Sequence, residues 1–204
     1  MNAPLPLLLA TRNRHKTGEL GAILGARFAV EDLLAHPSLP EVEETGATFL
    51  ENATLKAVTI SQALAADPAR AATLVMADDS GLETDALDGA PGVRSARFAG
   101  EKATDADNLR LLLERLAGNR QRSARFRCVI AIAREGRLLA SFDGRCEGTL
   151  AEAPRGDAGF GYDPIFIPEG EQLTFAQLPA ERKNAISHRA RALAQALEWL
   201  RHDV

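Results

Sequence analysis

Thr73-Leu74-Val75-Met76-Ala77-Asp78-Asp79-Ser80-Gly81-Leu82-Glu83-Thr84 sets a short apolar run directly against two adjacent carboxylates. A run of this length, bounded by turn-forming residues, predicts a buried strand over 73–77. The segment Asp78-Asp79-Ser80-Gly81 then reads as its end, before a second short strand over 82–84. In sheets flanked by helices, chemistry collects beyond strand ends, so this junction is a candidate site.

Upstream, Thr48 and Glu51 have the spacing of a capping box. Phe49, Ala53, Leu55, Lys56 and Ile60 continue a helix to about Asp67-Pro68. Pro37, Pro40 and the acidic stretch 41–46 read as a loop, and Phe28 to Leu34 as a strand. Leu5 to Ala10 predicts another buried strand, which breaks at Thr11-Arg12-Asn13-Arg14-His15-Lys16 and leads into a helix to about Leu24. Downstream, Gly89-Ala90-Pro91-Gly92 forces a turn. Thr104 and Asp107 cap a helix carrying Leu109, Leu112, Leu113 and Leu116, closed by Gly118. Residues 125–133 and 138–143 flank a hairpin at Arg134-Glu135-Gly136-Arg137, residues 145–150 extend the same sheet, and a strand over 164–167 follows a glycine-rich loop. A final helix over 186–201 puts Ile186, Ala190, Leu193, Leu197 and Leu200 on one face. The expectation is an α/β fold, a mixed sheet flanked by helices, in a single domain over 1–204.

Composition bounds the function. The 204 residues are 46% hydrophobic and 25% charged, the balance of an ordinary globular domain. A net charge of -4 gives no general attraction for DNA or RNA, so no nucleic-acid partner is expected. Leu5 to Ala10 is too short to span a bilayer and has no signal-peptide flanks, so no membrane association and a cytoplasmic location are expected. Cys128 and Cys146 suggest neither a disulfide framework nor a zinc site.

Four segments could carry chemistry, each with a plainer reading beside it. Thr11 to Lys16 offers hydroxyl, amide and ammonium donors beside a helix start, a phosphate cradle or simply a cap followed by a solvated lysine. Glu43-Glu44 and Asp78-Asp79 could together supply hard oxygen ligands to Mg2+, or be loop carboxylates. Gly159-Phe160-Gly161-Tyr162-Asp163-Pro164 could stack a planar base, or be a turn with packed aromatics. Arg182-Lys183 and Ser187-His188-Arg189 could meet phosphate or base oxygens, or be surface charges with Ser187 as a helix cap.

Taken in order, these segments resemble the inosine triphosphate pyrophosphatase family, also called dITP/XTP pyrophosphatases, over nearly the whole chain. The resemblance is carried by Leu9-Ala10-Thr11-Arg12-Asn13 with Lys16, Glu43-Glu44-Thr45-Gly46 with Phe49 and Glu51-Asn52-Ala53, and Ala77-Asp78-Asp79-Ser80-Gly81-Leu82. Gly89-Ala90-Pro91-Gly92 with Ser95-Ala96-Arg97, Gly159 to Pro164, and Lys183 with Ser187-His188-Arg189 complete it. Arg12, Arg14 and His15 depart from the smaller residues common in the first loop, and Ala65 to Ala72 is longer.

That resemblance implies an elongated mixed sheet in two lobes with a central substrate cleft, a homodimer, and Mg2+-dependent hydrolysis of ITP, dITP and XTP to the monophosphate and pyrophosphate. It implies Asp79 as the catalytic residue and a metal ligand with Glu43, supported by Asp78 and Glu44. It implies substrate contacts from Thr11, Arg12, Asn13, Arg14, His15, Lys16 and Lys183 to phosphates. Ser80, Phe160, Gly161, Tyr162 and Asp163 would bind the nucleoside, and His188 and Arg189 would face the purine. The competing readings are a Maf-like nucleotide pyrophosphatase and a non-catalytic nucleotide sensor.

Overall fold

The computed structural model describes residues 4–202. Its strands, in the order β2-β1-β3-β4-β5-β6, are β1 (Leu5–Leu9), β2 (Phe28–Asp32), β3 (Leu74–Thr84), β4 (Ser123–Arg134), β5 (Arg137–Leu150) and β6 (Phe166–Pro168). The helices are α1 (Arg14–Leu24), α2 (Phe49–Ala65), α3 (Asp105–Arg115), α4 (Ala180–Ile186) and α5 (His188–His202). The mixed sheet with flanking helices is as the apolar periodicity predicts. The chain divides into two compact units, the first from residues 4–79, 128–143 and 192–202, the second from 80–127 and 144–191.

In the first unit β1 runs parallel to both neighbours, Leu7 opposite Leu74 and Leu9 opposite Met76 on one side, Leu5 opposite Phe28 on the other. Parallel strands covered by helices are apolar throughout, and Leu7, Leu8 and Leu9 are all buried. Leu7, Leu9, Met76, Ile130 and Leu193 belong to one core cluster, which fixes where β3 lies. The capping box of α2 forms as its spacing predicts: Thr48 accepts from the Glu51 amide while Glu51 accepts from the Thr48 amide.

In the second unit β6 pairs antiparallel with the end of β5. Leu109, Leu112 and Leu116 meet Phe126, Phe166 and Phe175 in a separate core. Thr104 and Asp107 form the other capping box. Thr84, fully buried at the end of β3, has a side-chain hydroxyl without a hydrogen-bond partner among the described residues. Thr84→Val keeps the β-branched shape and deletes the desolvated hydroxyl, so the melting midpoint is expected to rise by roughly 2–4 °C, for about 1 kcal/mol. A fall in calorimetry would show that the hydroxyl is satisfied in solution.

Three boundaries differ from the sequence expectation. β3 does not end at Asp78 but continues to Thr84, so the carboxylates lie within a strand. Asp143-Gly144, a turn-prone pair, lies inside a single β5. The last helix starts two residues later than expected: α5 begins at His188, Ser187 is extended with its hydroxyl accepting the Ala190 amide, and Ile186 instead closes α4, a short helix that the apolar spacing does not announce. Ile186 therefore packs against the Leu109 cluster, while Leu193 and Leu200 pack in the first unit's core.

Candidate functional site

The first unit buries a charged cluster around the middle of β3. Asp78 and Asp79 are only 3% and 5% exposed, and buried carboxylates persist only where donors and cations meet them. Lys16, in the first turn of α1, reaches Asp78 at 3.1 Å. Lys56 of α2 reaches Asp79 at 3.4 Å and forms a close ion pair with Glu44. Asn52, one helical turn before Lys56, donates to Asp79 at 3.2 Å and accepts the Gly46 amide at 2.7 Å, which draws the acidic loop to the cluster. Gly46 has no space for a side chain, since a Cβ there would stand 2.6 Å from the Glu51 Cβ.

These surroundings set the ionisation. Burial first, then the Glu44 charge, hold the Asp79 carboxyl above its ordinary range, although Lys56, Lys16 and the Asn52 hydrogen bond pull the other way. Burial opposes the Lys56 ammonium, but Asp79, Glu44 and Asp78 together outweigh it and keep it charged. Asp79 is thus a more basic carboxylate than a surface aspartate, fixed in place by two donors.

The resemblance implies Glu43 as the metal-site carboxylate, with Glu44 in support. Here Glu43 is exposed, and Glu44 makes the contact with Lys56. Lys56 and Asn52 were missed as functional residues. Their signal is legible in retrospect: with Ser61, they are the polar residues on the buried face of α2, among Phe49, Ala53, Ala57, Ile60 and Leu64. In the first loop, Asn13 caps α1 by accepting the His15 and Lys16 amides, Thr11 accepts the Asn13 amide, and Arg12 donates to the Leu39 carbonyl. Arg14 and His15 are exposed.

The second unit assembles the other group. Arg189, 1% exposed, donates to the Ser80 hydroxyl at 2.9 Å and lies over the Phe160 ring at 5.8 Å. His188 stacks on Phe126, with centroids 4.7 Å apart. Lys183, expected at the phosphates, is paired with Asp163 at 2.6 Å and faces the rings of Phe160 and Phe175. Asp163 also accepts the Phe160 amide at 2.9 Å. Gly159 takes a positive φ of 79°, and a Cβ there would meet the Asp163 carboxylate at 2.1 Å, so the loop needs glycine at that point. Gly161 donates its amide to Asp105 at 2.7 Å. Tyr162 is a core residue whose hydroxyl donates to the Ser95 carbonyl at 2.9 Å, and burial pushes its pKa up.

The arrangement in the first unit offers carboxylate oxygens and ammonium groups, suited to phosphate and a hard cation. That in the second offers an aromatic face with buried hydrogen-bond donors, suited to a planar polar ring. Asp79 and Ser80 are consecutive in the sequence.

Known proteins resemble this chain over nearly its whole length. The sequence pattern of the Ham1 family matches residues 7–199. The dITP/XTP pyrophosphatase of Halalkalibacterium halodurans is 46% identical over 196 residues, 95% of this chain and 97% of that protein. The protein of the same name from Geobacillus kaustophilus is 48% identical over 192 residues, 93% and 91% of the two chains. The solved Ham1 protein of Staphylococcus aureus superposes with a TM-score of 0.84 at 37% identity, covering 98% of this chain and 100% of its own. With its motifs, its sheet and these relatives in agreement along nearly the full length, the chain belongs to the Ham1 family.

Proposed function

We propose that the chain hydrolyses deaminated purine nucleoside triphosphates, ITP, dITP and XTP, to the monophosphate and pyrophosphate; its relatives are named dITP/XTP pyrophosphatases. The observation that carries this reading is the buried Asp79 carboxylate, positioned by Asn52 and Lys56, held above the ordinary carboxylate range by burial and the Glu44 charge, and followed in sequence by Ser80, the hydrogen-bond partner of Arg189.

In this reading a water attacks the α-phosphorus, the bond to the oxygen bridging to the β-phosphorus breaks, and pyrophosphate departs. Asp79 orients this water and accepts its proton. Asn52 fixes the carboxylate through one oxygen and Lys56 through the other, which aims it without occupying every lone pair. Lys16, Lys56 and the first-loop residues Thr11 to His15 offset charge on the triphosphate. Phe160 stacks the base, while Gly161, Tyr162, Asp163 and Lys183 shape and brace its loop. His188 and Arg189 supply donors, which a carbonyl oxygen at position six of the purine accepts and the amino group of adenine does not.

The cluster fits a hard divalent cation. Its available donors are carboxylate oxygens, and burial and like charge leave Asp79 under-neutralised. Asp79, with Glu43 and Glu44 from the adjoining loop, would hold Mg2+, which would screen the phosphates and polarise the α-phosphorus. Among the described residues no three carboxylate, imidazole or thiol groups form a ready cage, so substrate oxygens and water would complete the shell. The homodimer implied by the resemblance and the cytoplasmic setting expected from the sequence belong to the same proposal, and light scattering on the purified protein tests the first.

A matched assay of ITP, dITP, XTP, ATP and GTP, with and without Mg2+, tests the activity. Pyrophosphate is expected from the first three only, and only with metal. Binding of ITP without pyrophosphate release would make the chain a nucleotide sensor, and preference for other nucleotides would restore the Maf-like alternative.

A further inference from the structure

Arg189 stands in a closed ring of contacts, and one residue of that ring has no part in the chemistry described so far. The guanidinium is held on one side by the Ser80 hydroxyl at 2.9 Å and on the other by the face of Phe160 at 5.8 Å. Ser80 sits on β3, two residues before Leu82. Phe160 sits on the glycine-rich loop, two residues before Tyr162. Ser95, only 8% exposed in the short helical turn Gly92–Arg97, binds both supports. Its hydroxyl accepts the Leu82 amide at 2.9 Å and donates to the Gly92 carbonyl at 2.7 Å, and its own carbonyl accepts the Tyr162 hydroxyl at 2.9 Å.

The closeness of these contacts makes the ring stiff. β3 and the 92–95 turn touch at Gly81, where a Cβ would stand 2.4 Å from both the Gly92 carbonyl oxygen and the Ser95 Oγ. Just beyond, Glu83 bridges Pro91. Tyr162 is anchored in turn, its ring in the second unit's core. Ser95 therefore sets the spacing between the two groups that hold the Arg189 guanidinium, without being placed to touch a base itself. Discrimination that depends on a buried donor is lost when that donor shifts by a fraction of an ångström.

We propose that Ser95 is a positioning residue for Arg189, and through it a determinant of selection for the base oxygen. This rests on the reading above that Arg189 meets the base. Residues acting through one group are non-additive in a double-mutant cycle, whereas a general loss of stability is additive and lowers all substrates alike.

The test is the ratio of kcat/KM for ITP to that for ATP in the parent, Ser95→Ala, Arg189→Ala and the double variant, with folding checked by thermal melts. Arg189→Ala is expected to lower the ratio by about a hundredfold and Ser95→Ala by about tenfold, the fold-changes of a lost and a displaced charged hydrogen bond. The double variant is expected to match Arg189→Ala alone. Tyr162→Phe, which cuts only the second tie, is expected to shift the ratio the same way and serves if Ser95→Ala does not fold. A parent-like ratio in Ser95→Ala or, failing that variant, in Tyr162→Phe would overturn the positioning role, as would full additivity in the double variant. An unchanged ratio in Arg189→Ala would instead remove the base reading, and this inference with it.

Discussion

Asp79→Asn is expected to lower Mg2+-dependent pyrophosphate release by roughly 10²–10⁴-fold, the usual range for losing a positioned general base. The fold should survive, because asparagine fills the same space and Lys56 retains Glu44 as its partner. Near-normal turnover by the folded variant would defeat the assignment. A second readout follows from the ionisation. Burial, then Glu44, raise the Asp79 pKa, so the folded metal-free protein binds this proton at a higher pH than the unfolded chain. Stability from this group is therefore greatest below the unfolded pKa and declines as pH rises through the folded one. Asp79→Asn removes that slope, so metal-free melts should show the variant gaining on the parent as pH rises through this window. A parallel pH dependence in the two proteins would show that Asp79 is not held above its ordinary range.

Lys183→Met is expected to be the most destabilising single change, by about 3–5 kcal/mol, because it leaves the buried Asp163 carboxylate without its cation. For a domain of this size that lowers the melting midpoint by roughly 10 °C or more. The second change Asp163→Asn should restore much of the loss, since neutralising both members costs far less than stranding one. Urea titrations of the two single variants and the double provide the cycle, and additive losses would show that the pair is not coupled. The same pair explains why Lys183 bears on the aromatic loop: Asp163 joins its ammonium to the Phe160 amide.

The elements that local chemistry governs were legible in the sequence. Both capping boxes form at their spacing, and the apolar run Leu5–Leu9 is a buried strand in parallel pairing. The hairpin turns at Glu135-Gly136, both with positive φ, as two-residue turns require. Where local and distant interactions compete, the sequence misled. The apolar spacing carries the last helix back to Ile186, but Ser187 caps α5 and leaves Ile186 at the end of α4. Asp143-Gly144 favours a turn by itself, yet lies in a strand held between two neighbours in the sheet.

Asp78-Asp79-Ser80-Gly81 shows the division most clearly. The order of residue types by itself marked this segment as the chemical centre, since two carboxylates after an apolar strand need an explanation that packing does not offer. It also determined the α/β class, through apolar runs whose burial requires covering helices. Only the tertiary structure decided that the segment is a strand and not its end. Lys16 and Asn52 with Lys56 arrive from α1 and α2 to satisfy Asp78 and Asp79, and Arg189 arrives from α5 to meet Ser80. A turn is what such residues form when they must satisfy their own polar groups locally. Once distant donors supply that need, the backbone is free to continue in the sheet, and the carboxylates stay buried within it.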